Sequence, residues 1–557
     1  MKIALAQLNY HIGNIEANTQ RIIKAINDAK KQTADLIVFA ELAICGYPPL
    51  DLLESNTFIH SCEQAIDQIA ITCDTIACIL GAPVRNTDPK GKDLYNAAYF
   101  IENKKVQTII HKALLPNYDV FDEYRYFEPA TGLQCIHFKG IKIALTICED
   151  LWNIGRDPLY VESPMDILIK EQPNLMINIA ASPFAHMHHQ ERVSVLKHNC
   201  KKYRLPIFYV NQVGAQTELI FDGRSTVFDA DGHQIHEMAS FAEAIQLYEF
   251  QNTQILLHHP SNPPENTNQS LIHDALVLGI RDYFTKSGFK KAILGLSGGI
   301  DSALVCALAT EALGAENVMA ILMPSEFSSD HSIKDALDLV SNLGCRHQII
   351  PIQDSVTAFD KMLKPLFGDL PFDVAEENIQ SRCRAITVMA LSNKFGYILL
   401  NTSNKSELAV GYGTLYGDMA GAIAVIGDLY KTGVYQLCQH INRNREIIPK
   451  NILVKAPSAE LRPGQKDADS LPDYAILDKI LFEYIELRKS HQDIIALSID
   501  EALVHRILKL VNHAEFKRRQ SPPILRVSPK AFGLSRRMPI VGKYPTGQLL
   551  DFSKELV

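Results

Sequence analysis

Short apolar runs that end in polar clusters dominate the first half of the chain. Runs of this length, rich in Ile, Val, Leu and aromatic residues, are typical of buried β-strands. They occur at residues 2–9, 35–42, 78–85, 97–103, 106–115, 141–150, 174–182 and 205–213. Helical spacing intervenes over Ala17–Lys31 and His188–Lys201, and Asp231-Gly232 predicts a hairpin turn. The pattern predicts an α/β unit with a mixed sheet and more strands than a plain doubly wound fold needs.

The second half alternates more evenly between helix and strand. An amphipathic helix over Ser270–Ser287 leads into an apolar strand at residues 291–296, and a helix follows over Ser302–Leu313. A strand at 317–323, a helix over Ser332–Leu343 and a strand at 347–352 continue the rhythm. This βαβαβ order predicts a parallel sheet that binds ligands at the carboxyl ends of its strands.

A stretch rich in Pro, Asn, Ser and Thr separates the two halves. It runs from Gln251 to Ser270, and such a composition cannot bury a core, so it is typical of an interdomain linker. The sequence therefore predicts two domains, at residues 1–255 and 270–557, joined by a linker at 256–269.

Composition and charge limit the classes of function. Of the 557 residues, 47% are hydrophobic and 21% are charged, which is typical of a globular protein. The net charge of −8 argues against a protein that coats nucleic acid. Eleven scattered cysteines include no C-x-x-C pair, so neither a disulfide framework nor a zinc site is indicated. With no signal-peptide pattern and no apolar run near the ~20 residues that span a bilayer, we expect a cytoplasmic protein without membrane or nucleic-acid partners.

The segment Ser297–Ser302, with the sequence SGGIDS, has the features of a phosphate-binding loop. It follows an apolar strand and opens a helix, where glycines let backbone N–H groups approach an oxyanion. The carboxylate of Asp301 is consistent with Mg²⁺, which binds proteins through one or two carboxylates together with phosphate oxygens. The alternative is a tight turn capped by Ser or Asp. The Walker pattern is absent, which argues against an ordinary P-loop NTPase.

This loop resembles the signature of the ATP pyrophosphatases, whose fold is adenine nucleotide hydrolase-like. These PP-loop enzymes hold pyrophosphate while AMP is transferred to a substrate. The loop alone leaves several activities open, among them GMP synthetase, asparagine synthetase and tRNA-modifying enzymes.

Further motifs narrow the resemblance to the synthetase domain of NAD synthetases. They are the segments 376–384 (EENIQSRCR), 397–412 (YILLNTSNKSELAVGY), 416–421 (YGDMAG), 427–432 (GDLYKT) and 457–463 (PSAELRP), and they cover nearly the whole second half. The resemblance implies that ATP binds at Ser297, Gly298, Gly299, Asp301, Ser302, Arg384, Thr402, Lys431 and Ser458. It implies that Asp301 and Glu407 hold Mg²⁺, and that Arg382 and Asp418 bind deamido-NAD. Taken singly, these residues have plainer readings, such as a capping box between Asn404 and Glu407.

Three residues at strand ends in the first half are candidates for a second catalytic site. Glu41, Lys112 and Cys148 each lie at the end of an apolar run. A thiolate, a carboxylate that moves its proton and a cation that stabilises an oxyanion together suffice to hydrolyse an amide. Spacing alone does not select Cys148 from eleven cysteines, since a single Cys is usually a small buried hydrophobe. Its segment, with those of Glu41 and Lys112, resembles the Glu-Lys-Cys triad of the nitrilase superfamily, which has an αββα fold.

The same resemblance implies that the first domain is a glutaminase. Tyr47, Tyr118, Glu149 and Ser182 match positions that recognise glutamine or neighbour the thioester site. Near position 188 the family usually carries Lys or Arg, whereas this chain has His188. That departure leaves the recognition of the glutamine carboxylate open.

Together the resemblances imply an ATP-dependent amidation of deamido-NAD that uses ammonia released from glutamine. They also imply a homo-oligomer, at least a dimer. Two alternatives are another PP-loop amidotransferase and a stand-alone amidase with an inactive C-terminal half; a further one is a non-catalytic nucleotide sensor.

Overall fold

The computed structural model describes residues 1–154, 158–252, 254–257 and 267–544. The chain divides into two compact units, Met1–Asn266 and Thr267–Val557. Residues 258–266 of the predicted linker lie outside the described residues, while Leu256 ends a strand and Asn268 begins a helix. Among the described residues, no helix combines the length and the apolarity that crossing a membrane requires.

The described residues of the first unit form two large sheets and four α-helices. The strands are β1 (Lys2–Gln7), β2 (Leu36–Val38), β3 (Ala77–Arg85), β4 (Leu94–Glu102), β5 (Lys105–His111), β6 (Ile136–Phe138), β7 (Ile141–Ile147), β8 (Leu175–Ala180), β9 (Ile207–Asn211), β10 (Val213–Gln216), β11 (Leu219–Asp222), β12 (Thr226–Phe228), β13 (Gln234–Glu237), β14 (Ala244–Gln251) and β15 (Gln254–Leu256). The helices are α1 (Ile15–Lys31), α2 (Asn56–Thr72), α3 (Pro164–Leu168) and α4 (His188–Tyr203). One sheet has the order β15-β14-β1-β2-β3-β4-β5 and the other β13-β12-β9-β8-β7-β6.

The two sheets form a sandwich because their strands are apolar on both faces. In β1, Ile3 and Leu5 belong to the buried cluster that also contains Ile143 and Leu145 of β7. The alternate residues of β1 belong to a second cluster with apolar side chains of α1 and α2. Period-two alternation therefore directs one set of side chains between the sheets and the other under the helices. With α4 packed on the second sheet, this is the predicted αββα sandwich.

The second unit contains one five-stranded sheet and twelve α-helices among its described residues. The strands are β16 (Ala292–Gly295), β17 (Val318–Leu322), β18 (Arg346–Ile349), β19 (Ile398–Asn401) and β20 (Ile423–Ala424). The helices are α5 (Asn268–Lys286), α6 (Ile300–Leu313), α7 (Asp330–Leu343), α8 (Gln353–Phe367), α9 (Val374–Phe395), α10 (Lys405–Val410), α11 (Lys431–Ile441), α12 (Lys450–Val454), α13 (Tyr474–Ile485), α14 (His491–Ile495), α15 (Glu501–His513) and α16 (Glu515–Arg518).

The order of the strands in this sheet places a crevice at its centre. The order is β18-β17-β16-β19-β20, and every pair is parallel. The chain builds outward from β16 in one direction and then returns to its other side with β19, so the connections leave β16 and β19 in opposite directions. Ligands of open parallel sheets bind at such a switch point, outside the carboxyl ends of the strands. The segments that follow β16 and β19 are therefore the expected walls of a site.

A buried histidine joins three helices of the second unit. His273 of α5 forms ion pairs with Asp274 (2.9 Å) and with Glu311 of α6 (3.1 Å), and its ring lies 5.8 Å from that of His440 in α11. Burial disfavours the charged imidazole, but the two carboxylates outweigh it and raise the pKa of His273 to about 9. In the protonated state, the ion pair with Glu311 thus links α5 to α6.

We expect the His273 ion pairs to stabilise the second unit in a pH-dependent way. Because the folded pKa lies above the ordinary value of about 6.5, the stabilisation is complete below that pH and is lost as the pH rises through about 9. The half-exposed carboxylates limit it to about 1 to 2 kcal/mol. The free energy of unfolding of His273→Gln should therefore fall further below wild type at pH 6 than at pH 10. The same substitution at exposed His347 is the control, and an equal deficit at both pH values would contradict the assignment.

Candidate active sites

Glu41 lies three residues after β2 and is fully buried. Its Oε1 accepts hydrogen bonds from Lys112 Nζ (2.7 Å) and Asn96 Nδ2 (2.7 Å). Its Oε2 accepts one from the backbone N–H of Ala181 (3.0 Å). Three donors from three separate segments therefore fix the position of this carboxylate, as a proton-transfer group requires.

Lys112 follows β5 directly and contacts a second carboxylate, which the sequence reasoning missed. Its ammonium donates to both oxygens of Glu123 at 2.8 Å, and the Tyr47 hydroxyl donates to Glu123 Oε1 at 2.8 Å. Burial opposes the charge of Lys112, but Glu123 and Glu41 outweigh it and raise the pKa of Lys112 well above its ordinary value. Burial also raises the pKa of Glu123. Lys112 is thus a permanent cation between two buried carboxylates.

Cys148 begins the short turn that follows β7 and has a φ of +41°. A left-handed backbone is strained for a residue with a side chain, and such strain is common at functional positions. The thiol is buried, which raises its pKa well above the ordinary value; the charge of Glu41 adds to this effect and that of Lys112 opposes it. The structure thus brings the three predicted residues into one electrostatic group, in which the resting sulfur is a protonated thiol.

Asp150 ties the Cys148 turn to the segment after Lys112. Its Oδ1 accepts hydrogen bonds from the backbone N–H groups of Ala113 (3.0 Å) and Leu114 (2.9 Å), and its Oδ2 accepts one from Ile147 (2.9 Å). Burial raises the pKa of Asp150 to about 6. Through three backbone donors, this carboxylate holds the segments of the predicted residues Lys112 and Cys148 together.

Apart from Tyr47, which donates to Glu123, the predicted glutamine-binding residues form two small groups beside the triad. Glu149 accepts hydrogen bonds from the hydroxyls of Tyr118 (2.9 Å) and Tyr160 (3.1 Å), and burial raises its pKa. Ser182 lies with its Oγ 3.4 Å from Nε2 of His188. The His188 ring stacks on Trp152 with centroids 5.0 Å apart and an interplanar angle of 2°. Nδ1 of the same ring lies 3.2 Å from Glu191.

In the second unit, the predicted phosphate loop forms the turn between β16 and α6. Gly298 has a φ of +79°, and a Cβ there would lie 2.2 Å from the backbone oxygen of Ser332 in α7. Only glycine therefore fits this position. The hydroxyls of Ser297 and Ser302 lie 3.1 Å apart, and the Gly299 N–H donates to Ser297 Oγ at 3.1 Å. Backbone and hydroxyl donors thus gather at the N-terminus of a 14-residue helix.

Asp301 and Glu407 meet across the crevice around one lysine. Lys431 Nζ lies 2.5 Å from Asp301 Oδ2 and 3.3 Å from Glu407 Oε1. Glu407 also closes a capping box with Asn404, but through its other oxygen, Oε2. The capping box therefore leaves Oε1 of Glu407 free to face Lys431. Burial, with the neighbouring Asp301 charge, raises the pKa of Glu407 to about 8, although Lys431 opposes the shift.

Two adjoining cavities, of about 260 and 510 Å³, extend from this cluster over the ends of the strands. The smaller one has apolar walls, including Met323, Val388 and Leu399, and Arg384 lies at its edge. The larger one is lined by Asp301, Glu407, Lys431 and Ser458, and both cavities share Thr402 and Asp418. The predicted residues of the second unit thus line one continuous cleft, except Arg382 and Gly298.

Arg382 lies outside the lining of both cavities. It is exposed on α9, and its Nε donates to the backbone oxygen of Leu415 at 3.2 Å. Arg384, by contrast, donates to the backbone oxygen of Met323 at 3.1 Å. Residues two apart on a helix point in different directions, so the two arginines cannot serve one cavity wall.

Other cleft residues were not singled out by the sequence. Glu460 accepts hydrogen bonds from the hydroxyls of Ser329 (2.7 Å) and Ser332 (2.9 Å), which joins the loop after α12 to the start of α7. Asp467 accepts one from the Tyr474 hydroxyl (2.9 Å) and lines the larger cavity. Acidic residues are frequent in this segment, and only the fold separates these two from their neighbours.

Comparison with known proteins places each unit in a family. A carbon-nitrogen hydrolase family matches residues 2–255, and an NAD synthase family matches residues 272–521. The glutamine-dependent NAD(+) synthetase of Synechocystis sp. is 47% identical over 547 residues, which cover 97% of this chain and 98% of that protein. The chain belongs to the glutamine-dependent NAD(+) synthetase family.

Solved structures of this family agree with the fold. The glutamine-dependent NAD+ synthetase of Acinetobacter baumannii, in complex with ADP, is 38% identical, with a TM-score of 0.78 over 98% of this chain and 99% of that one. The synthetase of Cytophaga hutchinsonii is 22% identical and shares the fold, with a TM-score of 0.81 over 97% and 98% of the two chains. The fold class predicted from the sequence is thereby confirmed.

Proposed function

We propose that the chain is a glutamine-dependent NAD synthetase, a ligase that converts deamido-NAD to NAD with ATP and with ammonia from glutamine. The observation that carries the proposal is the presence of two complete sites in one family member. One is a buried carboxylate–lysine–cysteine group, and the other is a cleft that joins a glycine-rich phosphate loop to an acidic pair.

The first unit carries out the hydrolysis of glutamine. Glu41 takes the proton of the Cys148 thiol as the sulfur attacks the side-chain amide, and it returns this proton to the leaving ammonia. Lys112 faces the site as a fixed cation and stabilises the oxyanion of the tetrahedral intermediate. Water then cleaves the thioester and releases glutamate. Because the pKa of the Cys148 thiol is raised, the thiol needs a nearby base to remove its proton. The fixed carboxylate of Glu41 is in place to do so.

Glutamine is held by the two groups beside the triad. Glu149, kept in place by Tyr118 and Tyr160, accepts from the α-amino group, and Ser182 and His188 donate to the α-carboxylate. Stacking on Trp152 limits the rotation of the imidazole, so His188 offers its Nε2 at a fixed place. The Tyr47 hydroxyl donates a hydrogen bond to Glu123, which in turn accepts from Lys112. This tyrosine therefore acts on the substrate through the triad.

We expect His188→Ala to raise the KM for glutamine by about tenfold, because one charge-assisted hydrogen bond is worth about 1.5–3 kcal/mol. His188→Lys should restore most of the affinity, since an ammonium also donates to a carboxylate. Steady-state kinetics with glutamine and with ammonia measure both effects. Synthesis from ammonia should not change in either variant, and an unchanged glutamine KM in His188→Ala would contradict the role.

The second unit activates deamido-NAD. ATP transfers AMP to the nicotinate carboxylate with loss of pyrophosphate, and ammonia then displaces AMP to form the amide. The apolar cavity suits the adenine ring, while Arg384, Thr402, Ser458 and the loop residues Ser297–Ser302 surround the phosphates. Lys431 donates to phosphate oxygens. Asp418, shared by both cavities, is the residue proposed for deamido-NAD, together with Arg382.

Asp301 and Glu407 suit a magnesium ion. A lysine ammonium already lies between their carboxylates and shows that this place favours a cation. Two carboxylates together with phosphate oxygens form a donor set that Mg²⁺ prefers. When bound, Mg²⁺ would neutralise the phosphate oxygens and the departing pyrophosphate. Because burial and the neighbouring Asp301 charge raise the pKa of Glu407, a bound cation would stabilise its ionised form.

An exposed apolar face supports the proposed oligomer. At the end of α8 and in its connection to α9, the exposed apolar side chains include Met362 (60%), Leu366 (80%), Leu370 (74%) and Phe372 (50%). Exposed apolar patches of this extent are typical of protein interfaces. We propose that this face contributes to a homo-oligomer of at least two copies.

The proposal is tested by the formation of NAD from deamido-NAD, ATP and Mg²⁺ with glutamine or with ammonia. Both nitrogen donors should support synthesis, with AMP and pyrophosphate as the other products and with glutamate from glutamine only. Another PP-loop amidotransferase would leave deamido-NAD unchanged. A stand-alone amidase would hydrolyse glutamine without consuming ATP, and a sensor would do neither.

A further inference from the structure

Two buried thiols lie side by side between the helices that form the walls of the nucleotide cleft. Cys306 is in the middle of α6, and Cys345 lies between α7 and β18. Their sulfur atoms are 3.8 Å apart, within hydrogen-bonding distance. Cys306 is fully buried, and Cys345 retains 6% exposure. The mechanism proposed above uses neither residue.

The two sulfurs are not equivalent. The hydrogen bond between the two thiols lowers the pKa of Cys345, whereas the same bond and burial raise the pKa of Cys306 well above its ordinary value. Thiolates react with peroxides and thiols do not, so the more exposed sulfur is also the more reactive one. This difference in pKa and exposure is typical of a cysteine pair in which one thiol is oxidised first and the other then forms a disulfide with it.

We propose that Cys306 and Cys345 form a reversible oxidation site that lowers synthetase activity when its disulfide is closed. The Cys345 thiolate attacks an oxygen of a hydroperoxide, the O–O bond breaks, and the sulfenic acid forms with loss of hydroxide. The Cys306 sulfur then attacks the Cys345 sulfur and expels water. In total, two thiols and hydrogen peroxide give one disulfide and two waters, and a thiol reductant reverses the reaction.

Formation of the disulfide would affect the phosphate loop, because α6 begins at that loop. A disulfide requires about 2.05 Å between sulfurs and restricts the spacing and orientation of the two Cβ atoms, so closing it constrains α6 against the end of α7. α6 begins at the phosphate loop with Asp301 and Ser302, and Gly298 rests directly on the Ser332 backbone of α7. Because that contact has no spare room, a relative shift of the two helices moves the residues that hold the phosphates. This consequence for activity rests on the proposed function, whereas the disulfide itself does not.

The test treats the full-length protein with hydrogen peroxide and follows two readouts. Peptide mapping without reduction should show a Cys306–Cys345 link, and synthesis from ammonia should fall at least about tenfold, since misplacement of reacting groups by 1 Å costs this much or more. Dithiothreitol should restore both. Ammonia is the nitrogen donor so that oxidation of the glutaminase thiol does not affect the rate.

Single variants separate this site from other cysteines. Cys306→Ser and Cys345→Ser should keep their activity under peroxide, while Cys438→Ser, at another buried thiol of the same unit, should lose activity as wild type does. If a Ser variant does not fold, thiol counting and mapping of the wild type still decide. A peroxide-treated protein with no Cys306–Cys345 link, or a link without loss of activity, would overturn the proposal. Absence of synthesis before oxidation would instead contradict the proposed function.

Discussion

Replacing Cys148 by alanine is expected to abolish NAD synthesis from glutamine and to leave synthesis from added ammonia close to the wild-type rate. The thiol is the only group of the buried triad that can form a covalent bond to the amide carbon, and loss of a catalytic nucleophile costs at least about 10³-fold. The second unit receives ammonia from solution in this experiment, so it does not need the thioester. Rates of NAD formation with each donor, at saturating ATP and deamido-NAD, measure the effect.

The matched control is Cys62→Ala, which removes a thiol that is equally buried in the same unit. It lies on α2, where its apolar contacts belong to the helix–sheet cluster. This variant should keep synthesis from both donors, apart from a loss of stability. If Cys148→Ala also lost synthesis from ammonia while remaining folded, the division of labour between the two units would be wrong.

Asp301→Asn is expected to remove synthesis with either nitrogen donor, by about 10² to 10³-fold. The substitution keeps the shape of the side chain and its contact with Asn404 but removes the charge that pairs with Lys431 across the cleft. An interaction with developing charge in a closed site is worth a loss of this size. Glutamine hydrolysis should continue, because the first unit has its own site.

The control for the loss of a negative charge is Asp338→Asn. Asp338 lies on α7, and its exposed carboxylate forms a surface ion pair with Lys334. Synthesis by this variant should match that of wild type. Release of pyrophosphate and formation of NAD are followed together for both variants. If Asp301→Asn still made NAD from ammonia at the wild-type rate, the assignment of the phosphate loop and its acidic partner would be wrong.

The fold was largely predictable because hydrophobic spacing and turn chemistry are local. The continuous apolar run in β1 indicates a strand buried on both faces, and the βαβ rhythm after Lys291 predicts the parallel sheet. Boundaries differ by a few residues. The helix predicted to start at Ser302 starts at Ile300, because the phosphate-loop backbone already has helical geometry there.

The residues of the candidate sites were predictable only where they belong to a sequence motif that resembles a known family. The contact between Lys112 and Glu41 joins residues 71 positions apart, and that between Lys431 and Asp301 spans 130 positions. No local pattern encodes such pairs, so the resemblance to known families supplied them. Glu123 could not be predicted, because nothing in the sequence distinguishes it from Asp119 and Asp122. Only the fold places its carboxylate against Lys112.

The central claim is that the amide nitrogen of glutamine becomes the amide nitrogen of NAD on this chain. The most direct measurement supplies glutamine with a heavy-nitrogen label in its side-chain amide, together with ATP, Mg²⁺ and deamido-NAD, and determines the mass of the product. The account predicts NAD that carries the label, with one AMP formed per NAD. Unlabelled NAD, or labelled ammonia released while deamido-NAD remains unchanged, would contradict it.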